Sequence, residues 1–177
     1  LNSTLTLQNL TVTRGMESTT GGGAIYSNGH LTIQNSTVSN STTTAAAGGG
    51  GGVKMDGGGA TLTIANNSTF SGNSSTYMGG GIINIGGTLT VTDSTFSGNS
   101  STAISGGGGI YNSGPLTISN SDFSNNLATA GGGGGITYAI ASGTGTITDS
   151  VFFNNQADAG AGVAAGGGWP GRHRAGG

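Results

Sequence analysis

The feature that most constrains this chain is a short pattern, leucine, threonine and an aliphatic residue, that returns at nearly even intervals. Its copies begin at Leu5, Leu31, Leu62, Leu89, Leu116 and, with glycine in place of leucine, Gly145. The intervals are 26, 31, 27, 27 and 29 residues. Such a period, with small insertions, is typical of stacked units that are each too small to bury their own apolar side chains. The sequence therefore predicts a solenoid of about six coils of 26–31 residues.

The first segment of each unit alternates apolar and polar residues. In the central copy, Leu89 and Val91 point to one side, and the threonines between and beside them point to the other. This period of two is the pattern of a half-buried β-strand. It predicts a sheet with leucine and valine inside and threonine outside.

The second segment places one apolar residue between two polar corners. The apolar positions are Val12, Val38, Phe70, Phe96, Phe123 and Phe152. Stacked coils lie about 4.8 Å apart, so we expect these side chains to form one continuous column.

The polar corners form two columns of their own. The corner positions are Asn9, Asn35, Asn67, Asp93, Asn120 and Asp149 on one side, and Asn73, Asn99, Asn126 and Asn155 on the other. We assign them to structure, because asparagine and aspartate tolerate left-handed backbone and stacked amides bond to one another.

The third segment is rich in glycine, which indicates bends or close approach of the backbone. One large apolar residue recurs in it: Ile25, Val53, Ile83, Ile110 and Ile136. Three segments without helical periodicity predict an all-β, parallel β-helix with three short strands per coil. We expect the right-handed form, because left-handed β-helices usually follow a stricter hexapeptide rhythm. Residues 1–165 would form this domain, and residues 166–177 a non-repeat, irregular tail.

Composition excludes several classes of function. The chain has 40 glycines and only 6% charged residues, yet apolar residues return where a core needs them, which argues against disorder. It has no basic stripe, so we expect no binding to nucleic acid. No apolar run is long enough to span a bilayer, so we expect no membrane insertion of this part. Because the first residues already lie inside a repeat, we expect the chain to be a piece of a longer protein.

Two motifs resemble a known family of repeats. They are Gly-Gly-x-Ile, as in Gly22–Ile25 and Gly80–Ile83, and Phe-x-x-Asn, as in Phe96–Asn99 and Phe123–Asn126. Together they resemble the repeats of the chlamydial polymorphic outer membrane proteins and of bacterial right-handed β-helix surface proteins. The resemblance covers roughly residues 1–165 and implies a secreted or surface-displayed passenger, commonly adhesive.

The distribution of carboxylates favours a scaffold over an enzyme. Many β-helices degrade polysaccharides, a chemistry that needs clustered carboxylates and a basic residue. The one acidic group that could serve is Asp93 with Asp149, two coils apart, and Asp122 nearby, and no lysine or arginine falls in the same region. We therefore expect a non-enzymatic module without cofactor or metal, with a polysaccharide-degrading fragment as an alternative. The expected partners are a glycan or cell-surface ligand and, end to end, a second copy of the chain.

Outward threonines supply the candidate binding surface. Six of the nine candidate residues share one column: Thr6, Thr32, Thr63, Thr90, Thr117 and Thr146. The other three are Thr61, Thr88 and Thr144, in a second column that also contains Thr4 and that His30 and Pro115 interrupt. Paired threonine columns on a flat sheet resemble the surfaces of ice-binding β-solenoids, so ice binding is a further alternative. The simpler interpretation is that threonine is a soluble residue with a high β-propensity.

Overall fold

The structure is a computed structural model that describes residues 3–139 and 144–158, and the backbone of residues 161–165. Within these ranges the regular structure consists of 24 β-strands in four parallel, six-stranded sheets. Each coil contributes one strand to each sheet, and the strands of every sheet follow the order of the coils. The predicted all-β parallel solenoid of six coils is confirmed. The predicted tail at 166–177 lies outside the described residues.

We name the sheets A to D in the order in which a coil passes through them. Sheet A contains Thr4–Gln8, His30–Gln34, Thr61–Ala65, Thr88–Thr92, Leu116–Ser119 and Gly145–Thr148. Sheet B contains Thr11–Thr13, Thr37–Ser39, Thr69–Ser71, Thr95–Ser97, Asp122–Ser124 and Val151–Phe153. Sheet C contains Met16–Glu17, Thr42–Thr43, Ser74–Ser75, Ser100–Ser101, Leu127–Ala128 and Gln156–Ala157. Sheet D contains Ile25–Ser27, Val53–Asp56, Ile82–Ile85, Ile110–Asn112, Gly133–Tyr138 and Ala161–Ala165.

The prediction of three strands per coil was wrong, because each coil has four. The strand that the prediction missed is the one in sheet C. It is two residues long and, in the central coils, consists only of serine or threonine, as in Ser74–Ser75 and Ser100–Ser101. So short a polar strand shows no alternation of apolar and polar residues, and only pairing with the neighbouring coils reveals it.

The core runs along the axis as columns of like side chains. The rings of Phe70, Phe96, Phe123 and Phe152 stack with centroids 4.8 Å apart and planes within 8° of parallel, as predicted. In sheet A, Leu62, Leu89 and their aliphatic neighbours are fully buried. Each coil therefore buries its apolar side chains against the coils on either side, since a single coil has too few to form a core.

One predicted core residue is wrong. Ile82, and not Ile83, is in register with Val53 and Ile110 and belongs to the core. Ile83 pairs with Lys54 and Tyr111, on the outer side of sheet D. Two adjacent isoleucines follow the glycine run, and the sequence pattern cannot distinguish which of them points inward.

The two corner columns serve different purposes. All six residues of the first column have positive φ, between 46° and 59°, as predicted. The second column is not left-handed but forms a buried ladder of amides. Asn73 Nδ2 donates to Asn99 Oδ1 at 3.0 Å, Asn99 Nδ2 to Asn126 Oδ1 at 2.9 Å, and Asn126 Nδ2 to Asn155 Oδ1 at 2.8 Å. Each amide also donates to a backbone carbonyl, for example Asn99 to Phe70, so these buried polar groups are satisfied.

Candidate functional site

The predicted main threonine column is a real feature of sheet A. Strand pairing places its six members directly beside one another, coil after coil: Thr6, Thr32, Thr63, Thr90, Thr117 and Thr146. Thr6, Thr117 and Thr146 are exposed, and the three in the middle coils are half-buried. The coils are 4.8 Å apart at the phenylalanine column, so the hydroxyls and methyls of this threonine column recur at about that interval.

The second column is less regular, as predicted. Thr61 and Thr88 pair directly and are exposed, and Thr144 is exposed in the sixth coil. Pro115 takes the intervening place, and His30 precedes Thr61 by one coil, with its Nδ1 2.9 Å from Thr61 Oγ1. Because residues two apart in a strand share a face at about 7 Å, all nine predicted site residues lie together on the outer face of sheet A.

A second hydroxyl surface lies on sheet B, and the sequence analysis did not identify it. Its two columns flank the phenylalanine column: Thr11, Thr37, Thr69 and Thr95, then Thr13, Ser39, Ser71, Ser97 and Ser124. The signal was present, because four of the six coils have threonine before the buried apolar residue and four have serine after it. In the sixth coil the same positions carry Val151 and Phe153, which are 58% and 67% exposed.

The predicted acidic group is part of the corner column. Asn120 lies between Asp93 and Asp149, and its Nδ2 donates to an Asp93 carboxylate oxygen. Asp122 sits on the outer side of sheet B, paired with Thr95 and Val151. Among the described residues, no three histidine, cysteine or acidic side chains are grouped closely enough to hold a metal ion. Likewise, the described part of the chain contains no helix that could cross a membrane.

Three charged residues, Glu17, Lys54 and Asp56, belong to one network in the first two coils. This network was not predicted from the sequence. Lys54, on sheet D, is buried, and its Nζ donates to the Thr20 carbonyl at 2.8 Å. The same Nζ lies 3.5 Å from Asp56 Oδ2 and 5.7 Å from the centre of the Tyr26 ring. This is the one ion pair among the residues that the structure describes. Lys54 and Asp56 are two residues apart on one strand, a spacing that puts both on the same face.

Glu17 holds the loop that covers Lys54. Its carboxylate accepts hydrogen bonds from the backbone N–H groups of Thr19 at 2.7 Å and Thr20 at 2.9 Å, from that of Gly21, and from the Thr19 hydroxyl at 2.6 Å. The Thr19 hydroxyl, followed by the Thr20 N–H, lowers the pKa of Glu17 well below its usual range, because each donor stabilises the charged form. The loop over Lys54 is therefore fixed by a carboxylate.

Comparison with known proteins identifies one match. A family model described as the right-handed β-helix region matches residues 1–169. No curated protein and no solved structure matches the chain significantly. The match agrees with the parallel solenoid described above and supplies the handedness predicted from the sequence.

Proposed function

The chain belongs to the right-handed β-helix family, and from this premise we propose that it is a non-enzymatic scaffold of a secreted or cell-surface protein, an adhesin passenger that presents its outer faces to a glycan or cell-surface ligand. The observation that carries the proposal is the unbroken, in-register threonine column of sheet A. A surface that repeats one chemical group in each coil suits a ligand that is itself repetitive or presented in many copies, because several weak contacts then act together.

The sequence motifs support the same proposal. The Gly-Gly-x-Ile and Phe-x-x-Asn repeats, which resemble those of the polymorphic outer membrane proteins, account for structure: the glycines allow close packing and the asparagines form the buried ladder. A Cβ at Gly80, for example, would lie 2.3 Å from the Gly108 carbonyl oxygen. These motifs therefore build the scaffold, and the residues left free for a ligand are those on the outer faces.

The proposal is tested by replacing threonine with valine, which keeps the shape and β-propensity but removes the hydroxyl. We compare Thr63→Val/Thr90→Val/Thr117→Val on sheet A with the control Thr37→Val/Thr69→Val/Thr95→Val on sheet B, using a glycan panel and cell-surface binding. We expect the sheet A variant to bind more weakly and the control to bind normally. Equal binding by both variants would contradict a role for sheet A, and no binding by the unmodified chain would overturn the proposal as a whole.

Ice binding is the second candidate, favoured by the pairing of Thr61 with Thr88 beside the main column. There Thr61, Thr63, Thr88 and Thr90 form a small grid of hydroxyls and methyls, two in each of two neighbouring coils, that could order water. The test is thermal hysteresis at millimolar protein, with Thr90→Lys as the variant that disrupts the grid. Hysteresis that this variant abolishes would support ice binding, and an unaltered freezing point with unaltered crystal shape would exclude it.

We also propose that the 177-residue chain associates end to end with a second copy. The first coil leaves Leu5 49% and Met16 86% exposed, whereas Leu31, directly beside Leu5, is 1% exposed. Open strand edges pair readily with other edges. Light scattering across a hundredfold range of concentration should show growth in mass, and a constant monomer mass would contradict the proposal.

A further inference from the structure

We propose that the outer face of sheet D carries a binding site for a short segment of a neutral glycan, formed by Tyr26, Asp56 and Ile85 over the first three coils. This site deepens the proposed adhesive function and rests on it. It differs from the threonine columns because it occurs once, whereas they recur in each coil.

The site combines two apolar surfaces with one hydrogen-bonding group. Tyr26 is 49% exposed, the Asp56 side chain is 44% exposed, and Ile85 is 37% exposed. Asp56 and Ile85 pair directly across neighbouring strands, and Tyr26 pairs with Lys54, two residues before Asp56. The three side chains therefore lie on one face of the sheet, on three neighbouring strands.

The surroundings leave room for a ligand. The Asp56 strand runs into the turn formed by Gly57, Gly58 and Gly59. A Cβ added at Gly58 or Gly59 would meet nothing within 4 Å, so the space around these two glycines is open. Successive units of a glycan could contact Tyr26 and Ile85 while their hydroxyls reach Asp56.

The charges select a neutral ligand. Lys54 already pairs with Asp56 and lies near the Tyr26 ring, so the cation that could attract an anion is occupied. A cationic ligand would meet Lys54 at the same ring and be repelled. A sugar has an apolar face that packs on an aromatic ring and hydroxyls that donate to a carboxylate. It therefore matches the exposed Tyr26 ring and the Asp56 carboxylate. The chemistry of the face therefore points to a neutral, polyhydroxylated unit.

The site is preorganised by groups that do not face the ligand. Asp56 is held by Lys54, whose Nζ is held by the Thr20 carbonyl. The Thr20 loop is in turn held by Glu17, through its bonds with the backbone N–H groups of Thr19, Thr20 and Gly21. Of four cations and six acidic residues in the chain, one cation and two acids are committed to this network. Lys54 and Glu17 are positioning residues, and binding by a preorganised site costs less ordering entropy.

The test is calorimetric titration of the full chain with neutral five-unit oligomers of glucose, mannose and N-acetylglucosamine. We expect one class to bind, and Tyr26→Ala and Asp56→Asn each to weaken its binding by about tenfold, the loss expected for one aromatic or charge-assisted contact. Tyr26→Phe retains the ring and should bind normally. Tyr77→Ala, a tyrosine outside the site, is the matched control, and thermal melts verify that all variants fold.

Three other outcomes would overturn this inference, and each has a different consequence for the proposed adhesive function. If the valine variant of sheet A loses binding while Tyr26→Ala keeps it, the glycan binds sheet A and the site on sheet D is wrong. If no neutral oligomer binds but the chain still adheres to cells, the inference fails and the adhesive function stands. If the chain binds neither oligomers nor cells, both fail.

Discussion

The outer faces of sheets A and D differ in how they use the repeat. Sheet A presents the same residue, threonine, in each of the six coils. At the corresponding outer position, sheet D has a different residue in nearly every coil: Tyr26, Lys54, Ile83, Tyr111 and Thr137. The threonines are exposed or half-buried, whereas Lys54, Ile83 and Thr137 are buried although they point away from the core.

The reason is that chain segments between sheets C and D fold over sheet D. Thr20 covers Lys54, and a Cβ at Gly49 would lie 2.8 Å from Ile83 Cδ1. Similarly, the Thr137 hydroxyl donates to the Gly106 carbonyl at 2.9 Å. A solenoid can thus have one face that repeats and meets solvent, and another that varies because each position packs against its own loop.

Replacing Ile83 should have the largest effect, although it lies on the outer side of its sheet. Ile83 is 1% exposed, so Ile83→Ala should lower the free energy of unfolding by about 2–5 kcal/mol, the range for a buried isoleucine. Ile85→Ala, on the same strand but 37% exposed, is the control and should cost much less. Urea unfolding measures both. Equal small losses would mean that the loops do not cover sheet D.

Replacing Lys54 should have an intermediate effect. Lys54→Met retains most of the apolar stem but removes the ammonium that bonds the Thr20 carbonyl and Asp56. Loss of a hydrogen bond to a buried charged group predicts a decrease of about 1.5–3 kcal/mol in the free energy of unfolding. The double variant Lys54→Met/Asp56→Asn should recover part of the loss if the two residues are coupled. If the losses in the free energy of unfolding from the two single substitutions simply add in the double variant, Lys54 and Asp56 are not coupled and the network is contradicted.

Replacing Glu17 should give a smaller effect that depends on pH. The hydrogen bonds to its carboxylate hold the folded-state pKa below the unfolded value of about 4.3, so the stabilisation is full above that pH and is lost as the pH falls. We therefore expect the melting temperature of the unmodified chain to exceed that of Glu17→Gln at pH 7. The difference should narrow below about pH 4.5. A difference that does not change with pH would contradict the role of the charge.

The smallest effect on stability should come from sheet A. Thr90→Ala removes a half-buried, outward threonine from a central strand, so we expect a loss of no more than about 1 kcal/mol, the span of β-propensity effects. Thermal and urea unfolding provide the measurement, with Ile83→Ala as the reference for a covered position. A loss at Thr90 as large as that at Ile83 would remove the distinction between the two faces.

Features that repeat in each coil were predictable from the sequence, and features that do not repeat were not. The threonine and phenylalanine columns were predictable because stacking by one coil aligns every copy of the motif. The strands of sheet C were not, because a pair such as Ser74–Ser75 shows no alternation. The sequence also did not indicate which of Ile82 and Ile83 points into the core. The network at Lys54 was beyond prediction because Thr20, 34 residues earlier, reaches it through a loop whose path no local pattern specifies.

The asparagine ladder has a consequence for how the molecule can grow. Every side-chain bond in it runs in one direction, from the amide nitrogen of one coil to the amide oxygen of the next. Each amide bonds only to its counterparts in adjacent coils. If a whole coil is duplicated or deleted, the amides on either side of the change can therefore bond to each other in the same way. An insertion of half a coil would separate a buried amide nitrogen from the amide oxygen that accepts its hydrogen bond. Length in this fold can therefore change by tandem duplication, in steps of one complete turn.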